Sequence, residues 1–276
     1  MSAAADLRFA LNHMTAPQLG LSDFFALAAR LPLGDVEIRN DIAGKPMLDG
    51  TSAAKVRDAA KAAGVRIITI NALQRFNDWS ATREREAIAL ADYARDCGAE
   101  AIILVPTNDG SGRADGERQR NATAALKNLK PILADRGIVG LVEPLGFEAC
   151  SLRRKSEAAA AIDAVGGAFR LVHDTFHHHL AGEAATFPKL TGLGHISGVD
   201  DPTLAVGDMR DAHRVLDGPA DRLDNVGQIR ALSEAGYRGS FSFEPFSDEL
   251  RALADPARAI RESMDYVRKQ LVSLAA

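Results

Sequence analysis

Short apolar runs alternate along this chain with longer segments whose apolar positions recur every three or four residues. Eight of the runs are rich in Ile, Val, Leu and Phe through their centres, which is typical of strands buried on both faces. They cover residues 7–12, 35–40, 66–73, 101–106, 138–146, 170–174, 193–198 and 240–246. The pattern therefore predicts eight strands with helices between them.

Capping residues mark several of the helices. Ser22 is a predicted N-cap, Ser80 begins a helix that stops at Gly98, and Asp255 with Pro256 begins the last helix. That helix has one apolar face, formed by Ile260, Met264, Val267 and Leu271. Between strands six and seven, the segment 181–192 is interrupted by a proline, which predicts a helix of only one or two turns.

Eight strand–helix units without a long linker predict an α/β fold, a (β/α)8 TIM barrel, with residues 1–276 forming one domain. The alternative is a doubly wound open sheet. Its usual marker, a G-x-G-x-x-G turn after the first strand, is missing, because the chain reads "NHMTAPQ" there. The barrel is therefore the favoured architecture.

Composition narrows the expected partners. The 276 residues carry a net charge of −4 with both signs interspersed, which argues against nucleic acid. The two cysteines do not form a disulfide framework, and neither an export signal nor a membrane span is visible, so we expect a cytoplasmic protein that does not bind membranes. A small-molecule substrate is expected, and homo-oligomerisation is left open.

Charged residues interrupt the last four predicted strands near their ends, where a TIM barrel carries its chemistry. These are Glu143, Asp174, His195 and Glu244. A buried charge at such a position is costly unless it is paired or bound to a metal. For any one of them, an ion pair with arginine is an equally good explanation. Together, three carboxylates and one imidazole predict an open site for one divalent ion: Mn²⁺, Zn²⁺, Co²⁺ or Mg²⁺.

All seven histidines lie within or after a predicted strand, and none lies on a long predicted helix. His177 follows Asp174 by three residues in "DTFHHH" and could orient a ligand, donate a hydrogen bond to substrate, or bind an additional metal. We expect at least one of His178 and His179 to be exposed in a loop.

Other polar residues near strand ends have two possible interpretations each. Glu37 and Arg39 share one face of their strand and form either a structural ion pair, which we favour, or part of the barrel mouth. Arg214 lies in the long loop after strand seven, where a cation could hold an oxyanion. After strand three, the segment 71–80 contains Arg75, Phe76 and Trp79 and forms either an aromatic lid or a plug in the top of the barrel.

The segments "VEIRN", "INALQRFN", "EPLGFEAC", "LVHDTFHHH", "HISGVDD" and "FSFEPF" resemble the xylose isomerase-like barrels, a group that includes sugar-phosphate isomerases, tagatose epimerase and endonuclease IV. Within that group, they most resemble bacterial inosose (2-keto-myo-inositol) isomerases. The resemblance implies that Glu143, Asp174, His195 and Glu244 bind the metal and that His177 and Arg214 contact substrate. Arg39 and Asn71 are added as substrate contacts. The stretch "LDGPADRLDN" departs from the P-G-x-G turn found in related enzymes, so the loop after strand seven is expected to be reshaped.

The activity that this resemblance implies is isomerisation of a keto-polyol, specifically a keto-inositol, through an enediolate in inositol or carbohydrate catabolism. Glu143 and Glu244 are the candidate acid and base, with Glu244 favoured as the base. Three rivals remain: an epimerase or dehydratase of a related keto-sugar, an endonuclease IV-like nuclease, and a non-catalytic sugar-binding barrel. The nuclease would need a basic surface, which the charge disfavours.

Overall fold

The computed structural model describes residues 7–42 and 51–273. Eight parallel strands form a closed barrel in sequence order, each hydrogen-bonded to the next and the last to the first. The strands are β1 Arg8–Asn12, β2 Asp35–Arg39, β3 Arg66–Gln74, β4 Ala101–Val105, β5 Val139–Val142, β6 Phe169–Asp174, β7 Thr191–Ile196 and β8 Ser240–Phe243. The predicted (β/α)8 architecture is confirmed.

Helices surround the barrel. They are α1 Leu21–Arg30, α2 Ala53–Ala63, α3 Ala81–Cys97, α4 Glu117–Ala134, α5 Lys155–Val165, α6 Thr175–Ala181, α7 Asn225–Glu234, α8 Asp248–Arg251 and α9 Ala257–Ser273. Short 3-10 turns lie at His13–Thr15, Val206–Asp208 and Asp211–His213. Within the described ranges, no helix is both long and apolar enough to cross a membrane.

Several sequence-predicted helix boundaries are confirmed. The Ser80 hydroxyl accepts a hydrogen bond from the Arg83 N–H and so caps α3, which ends at Gly98 in the left-handed conformation with φ of 80°. Asp255 accepts a hydrogen bond from the Ala257 N–H at the start of α9. The four residues of the predicted apolar face of α9 are all buried.

One predicted cap is wrong. The backbone enters α1 two residues earlier than the Ser22 prediction requires, so Gly20 is the N-cap and Ser22 lies inside the first turn. Gly20 has no side chain to cap the helix, and the apolar face of α1 holds it against the barrel instead.

The core has two apolar layers, which follow from the alternation of side chains along each strand. The larger layer lies between the barrel and the helices, and it includes Phe24, Ile38 and Leu126. The smaller layer fills the interior of the barrel with residues such as Ala10, Ile103 and Leu141. The interior changes from apolar to polar toward the C-terminal ends of the strands, and the candidate site lies there.

Candidate metal and substrate site

The four predicted ligands come together at the C-terminal mouth of the barrel. Asp174 is the last residue of β6, His195 lies near the end of β7, and Glu143 and Glu244 directly follow β5 and β8. All four side chains are buried, and one oxygen or nitrogen from each lies within 4.8 Å of the others. Four elements that are neighbours around the barrel thus contribute to one compact group.

A proline follows each of the two glutamates and explains their position. The predicted strands 138–146 and 240–246 are too long, because β5 ends at Val142 and β8 ends at Phe243. Pro144 and Pro245 have no N–H to donate to a sheet, so the chain leaves the ladder at each Glu-Pro pair. The carboxylates consequently stand at the rim, where they face the mouth.

His195 presents a single nitrogen to the other three ligands. Its Nε2 atom donates a hydrogen bond to Glu37 Oε2 at 3.1 Å. Its Nδ1 atom lies 2.8 Å from Glu143 Oε1, 3.3 Å from Glu244 Oε2 and 3.9 Å from Asp174 Oδ2. An imidazole with one nitrogen held by a carboxylate and the other directed at acidic oxygens has the geometry of a metal ligand. The donor set of three oxygens and one nitrogen therefore fits a divalent cation.

Glu37 contacts the candidate ligand His195, a contact that the sequence interpretation misses. The predicted ion pair between Glu37 and Arg39 is wrong, since each side chain contacts other residues. Besides His195, Glu37 accepts hydrogen bonds from Thr69 Oγ1 at 2.6 Å and Asn71 Nδ2 at 3.0 Å. Glu37 and Arg39 are two positions apart in β2, so their side chains lie on the same face of the strand. Because Arg39 was already considered a residue of the mouth, this alternation could have identified Glu37.

Arg39 lies at the barrel mouth, which was the second of the two interpretations of this residue. Its Nη1 donates to Glu244 Oε1 at 2.6 Å, and its other nitrogens bind both oxygens of Asp41 at 2.8 Å. Asn12 Nδ2 lies 3.2 Å from the same Glu244 oxygen. The orientation of Glu244 is therefore fixed from the β1–β2 side.

Arg214 approaches the cluster from the long loop after β7. Its Nη2 lies 2.7 Å from Asp174 Oδ2 and 3.1 Å from Glu244 Oε2. The guanidinium is fully buried between the rings of Phe176 and Phe246, at 5.1 and 4.7 Å from their centroids. The aromatic rings and ion pairs together fix this cation beside two of the candidate ligands.

The electrostatic balance differs between the two glutamates. Burial raises the pKa of Glu143, and the nearby Glu244 and Asp174 carboxylates add to that effect. Burial would also raise the pKa of Glu244, but His195, Arg214 and Arg39 outweigh it, so the pKa falls well below its ordinary value. Burial opposes the charged form of His195, yet the surrounding carboxylates hold its pKa well above the usual range.

The short helix between β6 and β7 is not where the sequence predicts it. The segment 183–187 is irregular and Pro188 lies in a turn, whereas α6 covers the histidine-rich stretch. Asp174 explains the early start, since its Oδ1 accepts a hydrogen bond from the His177 N–H and so caps α6. The left-handed Gly182 ends α6 at its other terminus.

The three histidines of α6 have different surroundings. His177 is buried and lines the mouth, and its Nδ1 atom has no hydrogen-bond partner in the described part of the chain. His178 and His179 are half-buried on the helix, so the expected exposed loop histidine is wrong. The sequence places His177 near the site correctly, but as part of a helix instead of a loop.

The segment after β3 packs into the barrel top. Phe76 is fully buried, and Trp79 is half-buried against the main apolar layer. Only Arg75 of the three lines the mouth, where it pairs with Asp109 at 2.7 Å and with Asp78 at 3.0 Å. The structure therefore corresponds to the plug and not to an aromatic lid.

The mouth encloses a cavity of about 340 Å³ above the four candidate ligands. Glu143 and Glu244 reach it from the ligand set. The residues predicted to contact substrate also line it: Arg39, Asn71, His177 and Arg214. Its polar wall and modest size suit a small polyhydroxylated molecule.

Comparison with known families and structures identifies relatives of this architecture. Residues 25–270 match the family described as "Xylose isomerase-like TIM barrel". A xylose isomerase domain containing protein from Salmonella typhimurium LT2 is 33% identical, with 97% of this chain and 98% of that chain covered and a TM-score of 0.88. A search of curated proteins finds no significant match.

Two more distant structures show the same fold. The IOLI protein, whose structure is described with a zinc atom, is 20% identical over 97% of this chain and 99% of its own, with a TM-score of 0.82. D-Psicose 3-epimerase from Clostridium cellulolyticum H10, described with D-tagatose, is 15% identical over 96% and 99%, with a TM-score of 0.71. From the full-length match and the family match together, the chain belongs to the xylose isomerase-like TIM barrel family.

Proposed function

We propose that this protein is a divalent-metal-dependent isomerase of a keto-polyol, with a keto-inositol as the substrate class and an enediolate as the intermediate. The observation that carries the proposal is the joint position of Glu143, Asp174, His195 and Glu244 under a small polar cavity. Structures of the same fold are described as IOLI with a zinc atom and as D-psicose 3-epimerase with D-tagatose, which supports a small carbohydrate substrate.

The four ligands would hold one divalent ion, with Zn²⁺, Mn²⁺, Co²⁺ and Mg²⁺ all compatible with three oxygens and one nitrogen. When bound, that ion would supply a Lewis acid that polarises the substrate ketone and stabilises the enediolate. Glu37 keeps Nδ1 of His195 directed toward this position through its hydrogen bond to Nε2.

The contacts of the two glutamates favour Glu143 as the base, which reverses the assignment favoured from sequence. Glu244 accepts hydrogen bonds from Arg39, Arg214 and Asn12, so its negative charge is already compensated. Glu143 contacts His195 but neither arginine in the described structure. Glu143 is therefore freer to remove the proton beside the ketone and to return it to the neighbouring carbon.

Two other side chains would orient the substrate. The buried Nδ1 atom of His177 has a free hydrogen-bonding position at the cavity wall, which a substrate hydroxyl could satisfy. Arg214 lies beside Asp174 and Glu244, where the one N–H of its guanidinium that has no partner in the described structure, on Nη1, can meet a hydroxyl oxygen. Both assignments give these residues a role in binding the polyol.

Epimerisation is the second candidate, because Glu143 and Glu244 follow β5 and β8, which are separated by two strands of the barrel. Two carboxylates on different sides of a ring could remove a proton from one face and return it to the other. A dehydratase would begin with the same proton abstraction and then lose water. The product therefore distinguishes the three activities.

The test is turnover of keto-inositols and ketohexoses in D₂O by the Mn²⁺-loaded enzyme, followed by carbon NMR. We expect deuterium at the carbon that loses its carbonyl, and a loss of exchange of at least about 100-fold in Glu143→Gln, in line with general acid–base catalysis. Glu262→Gln, which changes an exposed glutamate on α9, is the matched control and should exchange normally. An inverted product would favour the epimerase, an unsaturated product the dehydratase, and no exchange with any of these ketones would refute the proposal.

A further inference from the structure

A second cavity lies beside the catalytic one. It has a volume of about 530 Å³ and lies between the loop after β5 and the loop after β7, over the end of α6. Three residues line both cavities: Asn108, Phe147 and Asp211. Because the two cavities share these residues, they are adjacent, and a molecule bound over the ligand cluster could extend a substituent past them into the second cavity.

The floor of the second cavity is apolar. Leu180 and Met209 line it, and both belong to a small apolar cluster that is separate from the two barrel layers. Phe147 packs against that cluster from the side of the catalytic cavity. The loops and α6 therefore form an apolar surface at the mouth of a barrel whose catalytic cavity is polar.

The rim of this cavity exposes an aliphatic side chain. Val206 is 42% exposed, and it is one of three large hydrophobic residues with such exposure in the described ranges, with Leu253 and Val272. Exposed apolar surface that continues into a concave apolar floor is typical of a binding site. An apolar occupant would remove Val206 from water.

The charges of the second cavity balance, since its lining carries two arginines and two carboxylates. Arg153 donates to the carbonyls of Gly146 and Leu180 and pairs with Glu148 at 2.7 Å. Arg210 donates to the carbonyls of Gly207 and Met209. With equal numbers of arginines and carboxylates in its lining, the cavity favours a neutral group over an anionic one.

The packing beside the residues shared by the two cavities depends on the absence of a side chain at Gly146. A Cβ atom there would lie 2.2 Å from the His177 carbonyl oxygen, so the loop after β5 is pressed against α6. This contact brings the Phe147 ring to 5.2 Å from the His177 ring. The residue proposed to bind the substrate hydroxyl and the residue shared by the two cavities are thus direct neighbours.

We propose that the second cavity is a subsite for a neutral, apolar substituent of the substrate, so that the natural substrate is a keto-polyol carrying such a group and not a bare ring. This inference rests on the proposed function, since the polyol part must bind over the ligand cluster. The occupant is identified by the adjacency of the two cavities, which share three lining residues, by the apolar floor and by the balanced charges of the lining.

The test compares the phenyl ether and the methyl ether of the same keto-polyol, by titration calorimetry and by turnover with the full Mn²⁺-loaded chain. We expect the phenyl ether to bind about 10-fold more tightly, since burial of an aromatic ring readily supplies the ~1.4 kcal/mol that this factor requires. Val206→Asp should remove most of this advantage and leave the methyl ether within about 2-fold, because a charge at the rim opposes only the apolar group.

Val272→Asp is the matched control, since it makes the same change at an exposed valine on α9 and should not alter either affinity. Ala149→Trp, which fills the cavity from its wall, should exclude the phenyl ether and retain the methyl ether.

Equal affinities for the two ethers in the wild type would overturn the subsite while leaving the proposed function intact. If neither ether binds or reacts, the proposed substrate class fails and the subsite fails with it. If Val206→Asp changes the association state of the chain, this face is an interface between copies and the subsite is refuted.

Discussion

The two faces of β6 carry two histidine-containing clusters that have opposite electrostatic surroundings. Asp174 points into the barrel, where it joins His195 and the two glutamates. His173, the preceding residue, points outward and meets Lys155 of α5. Both clusters are buried, so exposure does not distinguish them. The sign of the charges around each imidazole is what differs.

The inner imidazole is surrounded by carboxylates. His195 Nδ1 and Nε2 lie close to Glu143 and Glu37, which together with Glu244 hold its pKa well above the usual value despite the opposing effect of burial. Such an environment favours a cation, whether a proton or a metal ion. The inner cluster therefore has the properties of a binding site.

The outer imidazole is surrounded by neutral and basic groups. His173 Nδ1 accepts a hydrogen bond from Lys155 Nζ at 2.7 Å, and its Nε2 donates to Gln228 Oε1 at 2.9 Å. Burial, followed by the charge of Lys155, holds the pKa of His173 well below its ordinary value. A neutral, fully hydrogen-bonded histidine connects β6 to α5 and α7. Density of histidines in the sequence is therefore a weaker indicator of function than the charges that face each ring.

The largest expected effect comes from exchanging one histidine of each cluster for glutamine. His195→Gln should reduce metal affinity by more than about 100-fold. Loss of a residue that only hydrogen-bonds a ligand costs at most about that factor, and loss of the ligand itself should cost more. His173→Gln should retain the full metal content, although the lost hydrogen bonds should cost about 1–3 kcal/mol of stability. Elemental analysis after dialysis measures the metal, and circular dichroism verifies the fold. Equal metal contents in the two variants would contradict the distinction between the inner and outer clusters.

The second prediction concerns Glu37, which contacts His195 but is not among the four ligands. Glu37→Gln should lower metal affinity by about 10- to 100-fold, because the amide holds the imidazole less firmly than a carboxylate does. Gln228→Glu, which places a carboxylate beside the outer His173, is the matched reverse change and should not alter metal affinity. Competition with a chelator measures both constants. An unchanged affinity in Glu37→Gln would remove Glu37 from its orienting role.

The barrel was predictable because its determinants are local. Eight apolar runs and the left-handed glycines at helix ends, such as Gly98, act within a few residues of themselves. The grouping of the four candidate ligands was predictable for a related reason, since parallel strands in sequence order bring their C-terminal ends to one rim. Their grouping thus follows from strand order without knowledge of any side-chain contact.

The features that were missed depend on distant contacts. Glu37 is 158 residues from His195, and nothing near Glu37 in the sequence indicates that its partner is an imidazole and not Arg39. The sequence left a lid and a plug equally open for residues 71–80, because the burial of Phe76 that favours the plug depends on the apolar layer behind the barrel. The helix of the histidine-rich segment was misplaced because its start depends on Asp174 as the N-cap. A residue at a strand end that is predicted to bind a metal is not expected to cap a helix as well.

The third prediction separates two adjacent histidines of α6. His177→Asn should keep the metal and lower kcat/KM by about 10-fold, the effect of losing roughly 1.4 kcal/mol of transition-state stabilisation. His178→Asn, whose side chain faces His173 on the outer cluster at 4.8 Å between ring centroids, should change kcat/KM by less than about 2-fold. If the metal content of His177→Asn drops as far as that of His195→Gln, His177 is a ligand and the site is larger than four residues.

The smallest expected effect on the metal site comes from a change in the outer cluster alone, which should appear only as a pH dependence of stability. Burial lowers the pKa of Lys155 to about 7, whereas an unfolded chain has a lysine pKa near 10.4. Between these values the unfolded state binds one more proton than the folded state, so the free energy of unfolding rises with pH from about 7 toward 10, by up to ~1.4 kcal/mol per pH unit. Conversely, this contribution is lost as the pH falls from about 10 to about 7, and below that range both states carry the proton and Lys155 adds no further slope. In Lys155→Met this contribution should vanish, while metal content stays normal.

Denaturant unfolding at several pH values measures the difference in slope between the two proteins, which cancels the other titrating groups. Parallel pH profiles would mean that Lys155 remains charged in the folded protein, and the contrast between an anionic inner cluster and a neutral outer one would no longer hold.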